Sequence, residues 1–239
     1  MPDARAENND GQFTMRISFL PAVLLLWGLA LTPGASGQIL FQDDFAGRLG
    51  PGWSWIREDR EAWRMTPQGL EVRIDPGNMW GPANDAHNLL HRPAPPLTNG
   101  PIAFSVRVEN HPTNQYEQVD LVWYYNDSHM VKLGRELVDG QLSIVMGREA
   151  ADKTRTIKII PIAGDAVFLR LTVQGNEIRG HYRLPGSETW REVGQCDLPA
   201  PGKTEPQFCL QCYQGPAHSD HWARLTEFRV LGVDRGADR

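Results

Sequence analysis

From Gln38 onward, apolar and polar residues alternate in short stretches separated by Gly, Pro, Asn and Asp, a pattern of strands and turns. It predicts strands over 39–45, 54–58, 62–65, 70–74, 88–91, 102–109, 116–125, 130–137, 141–148, 155–160, 167–173, 178–184, 190–196, 208–213 and 226–231. No stretch keeps a helical period. Strands without intervening helices join as hairpins and meanders, so the pattern predicts an all-β antiparallel sandwich or barrel. The Pro-rich run 93–101 reads as a crossing loop.

The middle of the chain allows a register to be written. Asp139-Gly140 is the preferred dipeptide of a two-residue type I′ hairpin, which places Val138 opposite Gln141, Leu137 opposite Leu142, Arg135 opposite Ile144 and Leu133 opposite Met146. A three-residue turn at Asn126-Asp127-Ser128 then pairs Trp123 with Val131, Leu121 with Leu133 and Val119 with Arg135. A plain two-residue turn would set Asp120 against Leu133, so hydrophobic matching selects the longer one. One face of this meander is core: Val119, Leu121, Trp123, Val131, Leu133, Leu137, Leu142 and Ile144. The other carries Gln118, Asp120, Tyr124, Met130, Lys132, Glu136, Ser143 and Glu149.

The N-terminal region differs from the rest. Met15-Arg16 precedes an apolar run from Ile17 to Leu31 and then Thr32-Pro33-Gly34-Ala35-Ser36-Gly37. The run has about 15 residues where a membrane span needs roughly 20, and small residues sit where a signal peptidase cuts. The expected division is therefore 1–37 as extension and signal peptide, 38–233 as sandwich and 234–239 as a frayed tail, with cleavage before Gln38 and either Met1 or Met15 as initiator. The expected location is secreted or periplasmic, without a stable membrane anchor. With a net charge of −5 and no run of Lys or Arg, nothing marks a nucleic-acid stripe. In an oxidising compartment Cys196 is expected to form a disulfide with Cys209 or Cys212, which themselves would face opposite sides of one strand.

The residues Trp53-Ser-Trp55-Ile-Arg57-Glu58, Asn88-Leu-Leu, Glu117-Gln-Val-Asp-Leu-Val-Trp-Tyr-Tyr-Asn-Asp-Ser-His-Met-Val-Lys132-Leu-Gly-Arg-Glu136 and Leu169-Arg-Leu resemble the concanavalin A-like domain found at the C-terminus of β-xylosidases and in a related bacterial family of unassigned function. The resemblance runs from about Ile39 to Leu231 and implies a two-sheet jelly roll whose relatives often bind sugar on the concave face. Nothing in the chain resembles the catalytic propeller of the β-xylosidases, so it carries over no hydrolase activity.

Stacking on a pyranose needs aromatic rings, and its hydroxyls need amide, carboxylate and amine groups. The candidate carbohydrate-binding residues are Tyr124, Lys132, Glu136, Gln118 and Asp120 on the polar face, with Trp80, Trp55 and Tyr213 at its edges. The competing reading makes Lys132 and Glu136 a cross-strand charge pattern on a solvated face. Trp63 and Trp190 are assigned to packing. The loop Pro76–Asp85 carries Trp80 at its centre, and partial burial at the rim of the concave face is expected. Glu136 and Asp120 share a face as a glycosidase pair would, yet Lys132 beside Glu136 should lower a carboxyl pKa rather than raise it. The histidine pairs His87/His91 and His218/His221 are weak zinc candidates and read as loop residues. No cofactor is expected, apart from a structural calcium as a candidate at Asp43-Asp44, where capping a turn is the alternative. The expected partner is a polysaccharide or oligosaccharide. The other open readings are a protein-interaction or structural domain and a glycan-active hydrolase.

Overall fold

In the computed structural model, which describes residues 37–97, 100–199 and 201–233, the Asp139-Gly140 hairpin forms with Asp139 at φ 49° and Gly140 at φ 74°. It joins β8 (His129–Val138) to β9 (Gln141–Ala150) in the register read from the sequence, from Val138 opposite Gln141 to Leu133 opposite Met146. The preceding strand β7 (Gln118–Asn126) also pairs as expected, with Val119, Leu121 and Trp123 opposite Arg135, Leu133 and Val131. The turn between them differs. Asn126 pairs with His129, so only Asp127-Ser128 remain in the turn, and a register shift between Tyr124 and Asn126 restores the apolar match. One extra residue in the strand does what the longer turn was expected to do.

Among the described residues fifteen strands form, where the alternation predicts them. The remaining ones are β1 (Gln38–Asp43), β2 (Ser54–Ile56), β3 (Trp63–Thr66), β4 (Gly69–Arg73), β5 (Leu89–Pro93), β6 (Ile102–Glu109), β10 (Lys153–Pro161), β11 (Ala166–Gln174), β12 (Glu177–Arg183), β13 (Arg191–Asp197), β14 (Gln207–Tyr213) and β15 (Trp222–Gly232). A 3₁₀ turn, Arg60–Ala62, leads into β3. All pairings are antiparallel. The larger sheet runs β13-β12-β11-β6-β15-β4-β3, with β1 also on β15, and the smaller runs β10-β9-β8-β7-β14-β5-β2. The chain passes from β5 in the smaller sheet to β6 in the larger, and residues 98 and 99 of the Pro-rich run between them lie outside the described residues.

The two sheets enclose the core with their facing side chains. Phe104, Trp123, Phe208 and Phe228 interlock with ring centroids 4.6 to 5.9 Å apart, surrounded by Val106, Leu121, Leu133, Ile144 and Leu169. Burial of such rings is the main stabilising term for a sandwich of this size. Arg135 points into this core and is 1% exposed. It donates to Asn110 O and Oδ1 and to Gly164 O, and burial pulls its guanidinium pKa down to about 10.

The expected disulfide is absent. Cys196 lies on β13 in the larger sheet, Cys209 and Cys212 lie on β14 in the smaller, and all three are buried free thiols. Cys209 and Cys212 do face opposite ways, one to the outer cluster and the other to the core. Burial pushes Cys209 up to about 12, so it is unreactive as a thiolate. Among the described residues no helix is long and apolar enough to cross a membrane. The expected leader at 1–37, apart from Gly37, and the expected tail at 234–239 lie outside the described residues.

Candidate functional site

The polar face of the smaller sheet is not solvated. The segment between β4 and β5 folds back over it, and a second apolar cluster forms beneath: Met79 and Ala86 of the segment, Leu89 of β5, Val122 and Tyr124 of β7, Met130 of β8, and Cys209 and Tyr213 of β14. Several devices pin the segment. Asn78 Oδ1 accepts from the amides of Met79 and Trp80, and Asp85 Oδ1 accepts from the Asn78 amide at 2.8 Å. Arg57 donates to Ala86 O at 2.7 Å and to Asp127 Oδ2 at 2.8 Å, while the Tyr124 hydroxyl donates to Asp127 Oδ1 at 2.7 Å. The Gly81 amide donates to Glu149 Oε2 at 3.1 Å. Trp80 then lies over β9, because residue 147 is glycine. Any Cβ there would come within 2.5 Å of the indole.

Beside this cover sits a buried ionic cluster. Lys132, 3% exposed, donates to Gln118 Oε1, to Glu136 Oε2 at 3.3 Å and to the Tyr213 hydroxyl at 3.4 Å, with Asp120 Oδ2 at 3.9 Å. Its ammonium also lies 4.8 Å from the Trp80 ring centroid. Asp120 pairs across strands with Gly134, over which its carboxylate lies, and its polar neighbours are the Tyr213 hydroxyl and the Lys132 ammonium. Burial pushes Asp120 up to about 6, a larger effect than the opposing pull of Lys132. Lys132 pulls this carboxyl downward, as a neighbouring cation does, but burial outweighs it. Glu149 is fully buried under Gly81, and burial raises it to about 7 against the downward effect of the Gly81 amide bond.

Glu149 supplies a pH signature. A carboxyl raised in the folded state stabilises below its unfolded pKa, and that contribution is lost as pH rises through about 7. Glu149→Gln keeps an acceptor for Gly81 without the charge. It is expected to match wild type near pH 4.5 and to exceed it by about 1–3 kcal/mol at pH 8. Thermal melts at the two pH values check this; a variant that is less stable at pH 8 contradicts it.

Where the cover ends, a groove of about 500 Å³ opens. Its floor is Gln118, Lys132, Glu136 and Val145; Asn78 and Trp80 form one wall, Tyr116 and Gln214 another, and Val138, Asp139, Thr156 and Ile159 complete it. Trp80 is half-buried, and Tyr116 is 47% exposed. Tyr116 and Gln214 both sit at positive φ, 66° and 62°. Two non-glycine residues held in the left-handed region at one end of a groove mark a place where surrounding structure overrides local preference. For Tyr116 that structure is visible: its amide donates to Leu137 O at 2.8 Å, and its carbonyl accepts from Gln118 Nε2 at 2.8 Å. Next to it, buried Glu117 accepts from the amides of Thr113 and Asn114 and from His221 Nδ1 at 2.9 Å, which locks the loop.

Of the residues singled out in the sequence, Lys132, Glu136, Gln118 and Trp80 meet at the groove. Asp120 and Tyr213 lie beneath it, fully buried. Tyr124 is enclosed under the covering segment, 5% exposed, and presents no ring for stacking. Trp55 belongs elsewhere: on β2 it packs into the core between the sheets, its ring 4.9 Å from that of Trp63. Trp190 lies under the guanidinium groups of Arg170 and Arg183 on the larger sheet. The charge pattern of Lys132 and Glu136 is buried rather than solvated. Asp43 accepts from the amides of Phe45 and Gly50 and from Trp53 Nε1, the geometry of a turn clamp, and Asp44 pairs with Arg229. His91 contacts Ser54 and Gln207, and among the described residues no three His, Cys, Asp or Glu side chains are grouped as metal ligands.

Comparison with known proteins agrees with this architecture. Residues 42–203 match the family described as Beta xylosidase C-terminal Concanavalin A-like domain. Among solved structures, the GH43 protein BlXynB of Bacillus licheniformis superposes with a TM-score of 0.71 at 19% identity, over 80% of this chain and 39% of that one. The xylan beta-1,4-xylosidase of Bacillus halodurans C-125 does so with a TM-score of 0.70 at 17% identity, over 80% and 38%. A functionally unknown protein from Saccharomyces cerevisiae is covered over 100% of its length, with a TM-score of 0.62 at 14% identity. At these identities the likeness is one of fold, and this chain spans well under half of the two Bacillus proteins. No curated protein matches the chain. Its sheet order and the match over 42–203 make the chain a member of the concanavalin A-like family that forms the C-terminal domain of β-xylosidases.

Proposed function

We propose that the protein is a non-catalytic, extracytoplasmic carbohydrate-binding sandwich and that the groove between Trp80 and Tyr116 takes the saccharide. The observation that carries this reading is the fixed indole beside a polar floor. Trp80 is held over Gly147 by the Gly81–Glu149 bond, next to Lys132, Gln118 and Glu136. A rigid aromatic wall beside hydrogen-bonding groups suits a ring with apolar faces and a polar rim. Relatives of this domain within a protein named for acting on xylan support a carbohydrate partner. The raised carboxyls of Asp120 and Glu149 would favour hydrolysis, but neither reaches the groove: both are fully buried.

Trp80→Ala is expected to weaken oligosaccharide binding at least about tenfold, while Trp80→Phe retains part of it. Affinity-gel retardation with a thermal melt of each variant checks the reading. A lower melting temperature with unchanged retardation would make Trp80 a packing residue only.

A further inference from the structure

The groove's charge says which saccharides it can admit, an inference that rests on the binding reading above. Its cation is already committed. The three N–H groups of Lys132 go to Gln118, Glu136 and Tyr213, and Asp120 stands 3.9 Å behind. Two of the lining amides are likewise turned inward: Gln118 donates to Tyr116 O, and Asn78 donates to Trp80 O while accepting from two backbone amides. The charged groups left facing the groove are acceptors. Glu136 gives Oε2 to Lys132 and has no protein donor on Oε1 among the described residues. Asp139, exposed at the hairpin, gives Oδ1 to Gln115. The cations of β10 are directed elsewhere. Arg155 reaches Asp197 on β13, and β10 lines the groove with Thr156 and Ile159 rather than with Lys153, Arg155 or Lys158.

A ligand entering here meets two carboxylates and no uncommitted cation among the described residues, so it must bring hydroxyl donors and no negative charge. We propose that the groove binds saccharides without anionic groups and rejects uronic-acid-bearing and sulfated ones. Like-charge juxtaposition in a partly desolvated site is the repulsive element that creates such discrimination.

The experiment measures calorimetric affinities for matched pairs: cello-oligosaccharides against their C6-oxidised forms, methyl-esterified oligogalacturonides against the free acids, and desulfated carrageenan fragments against the sulfated ones. For at least one pair the neutral member is expected to bind about tenfold or more tightly than the acidic one, with the gap narrowing as salt rises from 0.05 to 0.5 M. Glu136→Gln is expected to narrow it further. Should that variant fail to fold, Asp139→Asn serves, because Asn-Gly keeps the type I′ turn. Acidic members binding equally or more tightly, or a gap unchanged in both folded variants, overturns the proposal while leaving saccharide binding in place. Binding to no member of any pair removes the saccharide reading itself, and this proposal with it.

Discussion

Lys132→Met is expected to lower the unfolding free energy at pH 7 by about 3–5 kcal/mol, since it leaves the carboxylates of Glu136 and Asp120 buried without their cation. The side chain is 4% exposed, Asp120 is sealed entirely, and methionine fills the space without supplying an N–H. The cost should shrink at pH 5, below the value of about 6 to which Asp120 is raised, because a protonated Asp120 no longer needs a counter-charge. Combining Lys132→Met with Asp120→Asn and Glu136→Gln should recover much of the loss. Urea unfolding at the two pH values is the measurement. A loss below about 1 kcal/mol at pH 7 would place the cluster in contact with solvent and undo the description of a buried site.

Gly134→Ala should be nearly as damaging despite adding one methyl group. An added Cβ would fall 1.6 Å from Asp120 Oδ1 and 2.8 Å from its Cγ, so the carboxylate would have to leave its place over Gly134. Overpacking and displacement of a buried charge together predict a loss of about 3 kcal/mol. Asp120→Ala removes the obstacle, so the double variant should be more stable than the sum of the two single losses implies. Strictly additive losses would show that Gly134 and Asp120 do not share the space.

The sequence made the strands readable because alternation and turn residues are local. It also made the β7–β8–β9 register readable because Asp139-Gly140 fixes one turn and apolar matching fixes the next. The bulge near Tyr125 escaped, since a longer turn and a bulge restore the same match. On the outer face, Gln118, Asp120, Lys132 and Glu136 looked solvated because polarity along a strand ordinarily reports exposure. The contrary signal was present: Val122, Tyr124, Met130 and Cys209 put apolar groups on that same face, and Met79, Trp80 and Ala86 waited in a segment without periodicity. Matching the two sets needs contacts between distant segments, which no periodicity encodes. Tyr116 and Gln214 were missed for a related reason. Neither is a residue type that favours positive φ, and what holds Tyr116 there includes Glu117 reaching His221 across 104 positions. Trp55 shows the converse error, an aromatic assigned to the site on type alone that the β2–β5 pairing turns into the core.

The place of β15 in the larger sheet sets the order in which this protein can be finished during synthesis. Residues Trp222–Gly232 lie between β6 on one side and β4 and β1 on the other, pairing with all three. Until that strand leaves the ribosome, β1 and β4 have no neighbour joining them to β6, and their apolar faces have no completed sheet to close on. The β7–β8–β9–β10 meander, by contrast, joins consecutive segments and can pair as it emerges. Nascent chains halted before Trp222 should therefore hold a formed half-sandwich with an open core, the state most exposed to chaperone capture and aggregation.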